Sequence, residues 1–75
     1  MNIHIEYCEK WNYGPEFDRV SKVINKYCPE SIVQGNLIEP RSGAFEILIN
    51  KKLVYSKFKT NKFPTDKEIK LFLNS

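Results

Sequence analysis

The hydrophobic repeat changes period between residues 7 and 17, and that change limits the folds open to this chain. Residues 2 to 7, NIHIEY, alternate apolar Ile3, Ile5 and Tyr7 with polar Asn2, His4 and Glu6, the period of a strand, with Cys8 as its last residue. Further on, Phe17, Val20, Val23, Ile24 and Tyr27 recur at three- and four-residue steps, with Arg19, Lys22 and Lys26 off that stripe. Pro15 suits an early helical position, where its missing N–H costs nothing, and Glu16 and Asp18 suit the positive end of the helix dipole. Pro29 stops the pattern, so the spacing predicts a helix over 15–27.

The rest of the chain reads as three strands and a helix. SIVQGNLIE, residues 31 to 39, is extended, and Gly35 inside it suggests a bulge or an edge strand. PRSG turns the chain, and AFEILIN (44–50) and KLVYSKF (52–58) form a hairpin around Asn50-Lys51, where asparagine tolerates the positive φ of a tight turn. FPTDKE opens a last helix: Thr65 and Glu68 have capping-box spacing, and Ile69, Phe72 and Leu73 give it a face to bury. The order is β-α-β-β-β-α, and a right-handed crossover makes the first two strands parallel. This is an α/β sandwich of two or three layers, with one mixed four-stranded sheet and two helices. Its 75 residues form a single domain, 1–75, since a chain of this size buries only ~60% of its unfolded surface and supports one core.

Composition narrows the function. The net charge is +3, with Lys51, Lys52, Lys57, Lys59 and Lys62 in the C-terminal half. These lysines are interleaved with Glu46, Asp66 and Glu68, which argues against nucleic acid as the partner, because phosphate binding calls for a denser, less compensated cluster. The N-terminus lacks the basic and apolar regions of a signal peptide, and no apolar run approaches the ~18 residues of a membrane span. A reducing cytoplasmic location with no membrane contact is expected. The single histidine, His4, and the two cysteines, Cys8 and Cys28, make no metal-ligand cluster. In a reduced compartment a cysteine is more often reactive, or simply buried, than part of a structural disulfide.

Cys8 stands where the first strand gives way to the first helix. Unpaired N–H groups and the positive dipole end there favour a thiolate, and Lys10 pushes the same way. His4 lies on the same side of the strand but ~13 Å away at strand rise, too far to act as a base for that sulfur. Cys28 cannot resolve a bond to Cys8, since a helix over 15–27 is ~20 Å long and a disulfide needs Cα atoms within ~7 Å. Cys28 is expected to pack as a small apolar residue.

Several stretches together, YC-x-x-W-N-Y-G-P at 7–15, G-A-F-E-I at 43–47, L-V-Y-S-K at 53–57 and F-P-T-D at 63–66, resemble the selenoprotein W group, the Rdx proteins. The similarity runs from Ile3 to Leu73. It implies a thioredoxin-like fold and a thiol-redox role linked to glutathione or thioredoxin, carried by C-x-x-C or C-x-x-selenocysteine. The first cysteine of that motif falls on Cys8 and the second redox position on Trp11. An indole cannot resolve a bond to Cys8, so a dithiol cycle within the motif is closed to the chain as written. Either Trp11 is native and the site is monothiol, or codon 11 is UGA, which encodes selenocysteine in one context and tryptophan in some genetic codes. Reading the codon separates the two.

Two functions stay open at this point. One is a thiol-disulfide oxidoreductase in which Cys8 forms mixed disulfides with glutathione or a protein thiol, glutathione being a redox partner and no cofactor being bound. The other is a binding module that kept the shape and lost turnover. Lys10, Trp11, Tyr13, Ser42 and Gly43 are the candidate contacts for a substrate or protein partner in either case. Ser42 and Gly43 precede the third strand, which approaches the thiol in such a fold.

Overall fold

In the computed structural model, which describes residues 1–74, the chain runs β1 (Asn2–Tyr7), α1 (Gly14–Tyr27), β2 (Ile32–Gln34), β3 (Phe45–Ile49), β4 (Lys52–Ser56), α2 (Lys57–Thr60) and α3 (Asp66–Leu73). The four strands form one sheet in the order β2-β1-β3-β4. β1 and β2 are parallel, with Ile3 opposite Val33, whereas β1 and β3 are antiparallel, with Ile5 opposite Ile47 and Tyr7 opposite Phe45. β3 and β4 close the hairpin, with a shift in register after Ile47 that leaves Val54 as the extra residue.

One face of the sheet is packed and the other is open. Ile3 and Ile5 of β1, Phe45 and Ile47 of β3, and Tyr55 of β4 meet Val20 and Ile24 of α1 and Ile69 and Leu73 of α3 in a single core. Each such fully buried side chain is worth about 1.5–3 kcal/mol against exposure. The sandwich thus has two layers, with α1 and α3 side by side beneath the sheet. Arg19 ties the two helices together, donating to Glu16 (3.0 Å), to Asp66 (2.8 Å) and to the Pro64 carbonyl (2.6 Å). The capping box at α3 is reciprocal: the Thr65 hydroxyl accepts from the Glu68 amide, and the Glu68 carboxylate accepts from the Thr65 amide.

Three expectations from the sequence need correction. The strand expected over 31–39 is only Ile32–Gln34, because the Asn36 side chain takes over the pairing: its Oδ1 accepts from the Tyr7 amide at 3.0 Å and its Nδ2 donates to the Tyr7 carbonyl at 2.8 Å. Gly35 therefore lies beyond β2, where an added Cβ would sit 3.1 Å from the Tyr7 ring and 3.3 Å from that of Phe17. The second correction is a third helix. Lys57 and Phe58 belong to α2, not to the end of a strand, because the Glu46 carboxylate on β3 accepts the Lys57 amide at 2.8 Å and draws the chain into a helical turn. The third concerns Tyr27, which closes the α1 stripe in sequence but stays exposed.

Among the described residues no helix is long and apolar enough to cross a membrane.

Candidate functional site

The β1–α1 connection sets the position of Cys8. Its amide donates to the Ala44 carbonyl at 2.9 Å, one rung beyond the β1–β3 ladder, and its carbonyl accepts from the Tyr13 amide at 3.2 Å. Between them Asn12 adopts φ 61 and donates its amide to Glu9 at 3.0 Å, which makes the connection a tight turn. Residues 2, 4, 6 and 8 project from the open face by strand alternation. Cys8 accordingly stays outside the core cluster and lines a small cleft of about 90 Å³ with Glu9, Lys10, Glu39, Pro40 and Ser42.

The residue is only 2% exposed, whereas Trp11 is 59% exposed. The indole lies on Gly43, which has φ +75 at the turn before β3. Aromatic contacts continue inward from it: Trp11 meets Tyr13 edge-on at 6.2 Å, Tyr13 meets Phe63 at 4.8 Å, and Phe63 meets Phe45 of the core at 5.2 Å. The Lys57 ammonium lies 5.4 Å from the Tyr13 ring centre and 5.5 Å from that of Phe63. Such cation–π contacts are worth about 0.5–1 kcal/mol at exposed sites.

The six residues singled out in the sequence thus fall into two groups. Cys8, Lys10 and Ser42 share the cleft, while Trp11, Gly43 and Tyr13 make the aromatic layer beside it. Lys10 has another partner as well, since its ammonium is 3.6 Å from Glu39 on the far side of the cleft. α1 starts at Gly14 with no side-chain cap on its first turn. Cys28 caps the other end of α1, donating its amide to Ile24 at 2.7 Å and packing against the core, and both cysteines are free. Glu39, Pro40 and Ala44 were not legible as site residues, because their link to Cys8 spans about thirty positions and follows no local motif.

A polar cluster on the same open face supports the turn that carries Ser42. Glu6 accepts twice from the Arg41 guanidinium, at 2.8 and 3.0 Å, and once from its amide at 2.8 Å. That pairing holds the Glu6 carboxyl below its ordinary range. The guanidinium also stacks 5.0 Å from the Phe58 ring centre.

A parallel β-α-β start, an antiparallel hairpin added on the β1 side, and a cysteine at the β1–α1 turn define a thioredoxin-like α/β fold. The chain belongs to the Rdx family, whose model matches residues 2–74. Its backbone is similar to the crystal structure of a selenoprotein W-related protein from Vibrio cholerae, with a TM-score of 0.82 and 24% identity over 97% of this chain and 91% of that one. It is also similar to the structure of a protein from Bordetella parapertussis, with a TM-score of 0.80 and 17% identity over 97% and 92% of the two chains. Among curated proteins it is 30% identical to migration and invasion enhancer 1 of Bos taurus over 69 residues, which is 92% of this chain and 58% of that protein. Its identity to the Mus musculus counterpart is 29% over the same shares. The chain therefore spans little more than half the length of those relatives.

Proposed function

We propose that this chain is a small thiol-redox module in which Cys8 alone carries the sulfur chemistry, exchanging with glutathione or a protein thiol. One observation carries the reading: Cys8 is pinned at the β1–α1 turn by Ala44 and Tyr13, in the wall of a cleft, with an indole at the second position of the family motif. In the exchange the Cys8 thiolate attacks one sulfur of glutathione disulfide. A Cys8–glutathione bond forms, the original disulfide breaks, and the second glutathione leaves as its thiolate. Trp11 offers no sulfur, so the return step needs an external thiol, such as reduced glutathione, to attack the mixed disulfide.

The burial of Cys8 sets a condition on that step. A cleft of about 90 Å³ admits a few waters but no tripeptide, so one of its walls has to move aside. The 39–42 wall is tied to Glu6 through Arg41, which leaves the 9–12 turn as the freer of the two. That turn is held by few contacts, chiefly one backbone hydrogen bond, the exposed Lys10–Glu39 pair and the indole on Gly43.

The contrast between a covered Cys8 and an exposed Trp11 favours a second reading, a binding module without turnover. Treatment of the native protein with glutathione disulfide, followed by peptide mapping, separates the two. The redox reading expects an adduct on Cys8 that glutaredoxin removes and that Cys8→Ser abolishes. An adduct found only on Cys28, or only after denaturation, refutes it.

A further inference from the structure

The face of the sheet opposite the helices carries a trough that the fold leaves uncovered. At the β3–β4 turn end it is a groove of about 800 Å³ whose apolar floor and wall are Ile32, Leu37, Ile38 and Leu48. It continues into a second depression of about 270 Å³, which shares His4, Leu37 and Ile38 with the first. That depression abuts the Cys8 cleft at Glu39 and Pro40, which line both, so the three lie end to end as one path along the open face with the Cys8 cleft at its end. β1 lies beneath the path, and its six residues at about 3.3 Å each give a length of about 20 Å. Leu37 and Ile38, 75% and 84% exposed, are adjacent aliphatic side chains that join no core cluster.

The walls decide what fits. The trough is open along one side, so it cannot enclose most of a small apolar ligand, as binding of such a ligand requires. Asn2, Gln34 and Asn50 line the groove among the aliphatics, the Asn50 Oδ1 already accepting from the Asn2 backbone amide at 3.0 Å. Carboxamides both donate and accept, which matches a peptide backbone. Charge is uneven along the path. At the Cys8 end Glu6 is paired with Arg41 and Glu39 with Lys10, while Lys51 at the other end has no ion-pair partner among the described residues. The two carboxylates neutralise the two cations at the Cys8 end, which leaves too little unpaired positive charge along the path for a nucleic-acid strand.

We infer that the trough receives an extended segment of a partner protein, with apolar side chains over Leu37 and Ile38, a carboxylate at Lys51 and a cysteine delivered to Cys8. The inference rests on the redox reading of Cys8 and narrows it: the preferred exchange partner is a protein cysteine in an apolar, acidic-ended segment, with glutathione as the small co-reactant.

The probe is a synthetic peptide of about eight residues, long enough at strand rise to run from Lys51 to Cys8. Its order is Glu-Leu-Thr-Leu-Thr-Val-Ser-Cys, made also in reverse order and with serine for cysteine. Fluorescence anisotropy with the serine forms reads binding alone. One order is expected to bind wild type and Cys8→Ser equally, and about tenfold or more weaker to the Leu37→Asp/Ile38→Asp double variant. Lys51→Glu is expected to weaken binding, and a peptide carrying Lys for Glu to restore it. The cysteine form, supplied as a mixed disulfide with thionitrobenzoate, reads exchange: Cys8 bonds to the peptide sulfur and coloured thionitrobenzoate leaves. The double variant is expected to slow this step about tenfold while its reaction with glutathione disulfide is unchanged. Equal peptide rates in both proteins, or tighter binding of single-stranded RNA than of peptide, overturn the trough. Peptide binding with no Cys8 chemistry toward either disulfide overturns the redox reading and leaves the trough standing as a docking surface.

Discussion

The indole of Trp11 rests on the α-carbon of Gly43, so closely that a Cβ at position 43 would lie 2.8 Å from its Cζ3 atom. Gly43 also adopts φ +75, a conformation costly to residues with a side chain. Gly43→Ala should therefore lower stability by about 1–2 kcal/mol in urea unfolding. It should also shift the tryptophan emission, since Trp11 is the one tryptophan in the chain. An unchanged spectrum with an unchanged midpoint would show that the indole does not hold this place in solution.

Glu46 is 3% exposed, and its carboxylate accepts from the Ser56 hydroxyl at 2.5 Å and from the Lys57 amide at 2.8 Å. It supplies from a neighbouring strand the first acceptor that α2 needs. Replacement by alanine leaves that amide and hydroxyl without a partner, at a cost of about 2–3 kcal/mol. Amide hydrogen exchange in 57–60 should accelerate together with the loss of stability.

Asn50 and Lys51 both take positive φ, 49 and 71, as the two central residues of the β3–β4 turn. Glycine adopts the second of these without strain. Relief of about 1–2 kcal/mol of left-handed strain exceeds the roughly 0.4–1 kcal/mol that glycine costs through the unfolded chain, so Lys51→Gly should raise stability by up to about 1 kcal/mol in chemical denaturation.

Acid should weaken the fold through two carboxylates. The Lys62 ammonium, 2.8 Å from Glu68, and the Thr65 amide bring the Glu68 carboxyl down to about 2 from an ordinary 4.5. Arg41 lowers Glu6 in the same direction. A carboxyl depressed in the native state adds stability above its unfolded value and loses it as pH falls toward the folded one. Stability should thus decline between about 4.5 and 2 for Glu68. Glu68→Gln should flatten that limb, and added salt should shrink the effect because the pair is exposed.

Much of the frame was legible because its signals are local. The alternation of Ile3, Ile5 and Tyr7 gave β1, the stripe from Phe17 to Ile24 gave α1, and the spacing of Thr65 and Glu68 gave the start of α3. What escaped depends on partners far along the chain. Glu46 seats α2 from eleven residues away, and Asn36 ends β2 early by bonding to Tyr7 twenty-nine residues back. The candidate site divides the same way. Cys8 and Trp11 stand out by motif, whereas the trough depends on Leu37 and Ile38, whose apolar character read as part of a strand. No periodicity distinguishes an aliphatic pair that packs from one left facing water.

The amide of Asn36 also works as a lock on alignment. If β2 slid one residue along β1, this side chain would lose both bonds to Tyr7, and Val33 would turn away from the core. On the β2 side, past Gln34, the margin of the sheet offers a newcomer no run of successive main-chain donors and acceptors, so a foreign strand has little on which to propagate there.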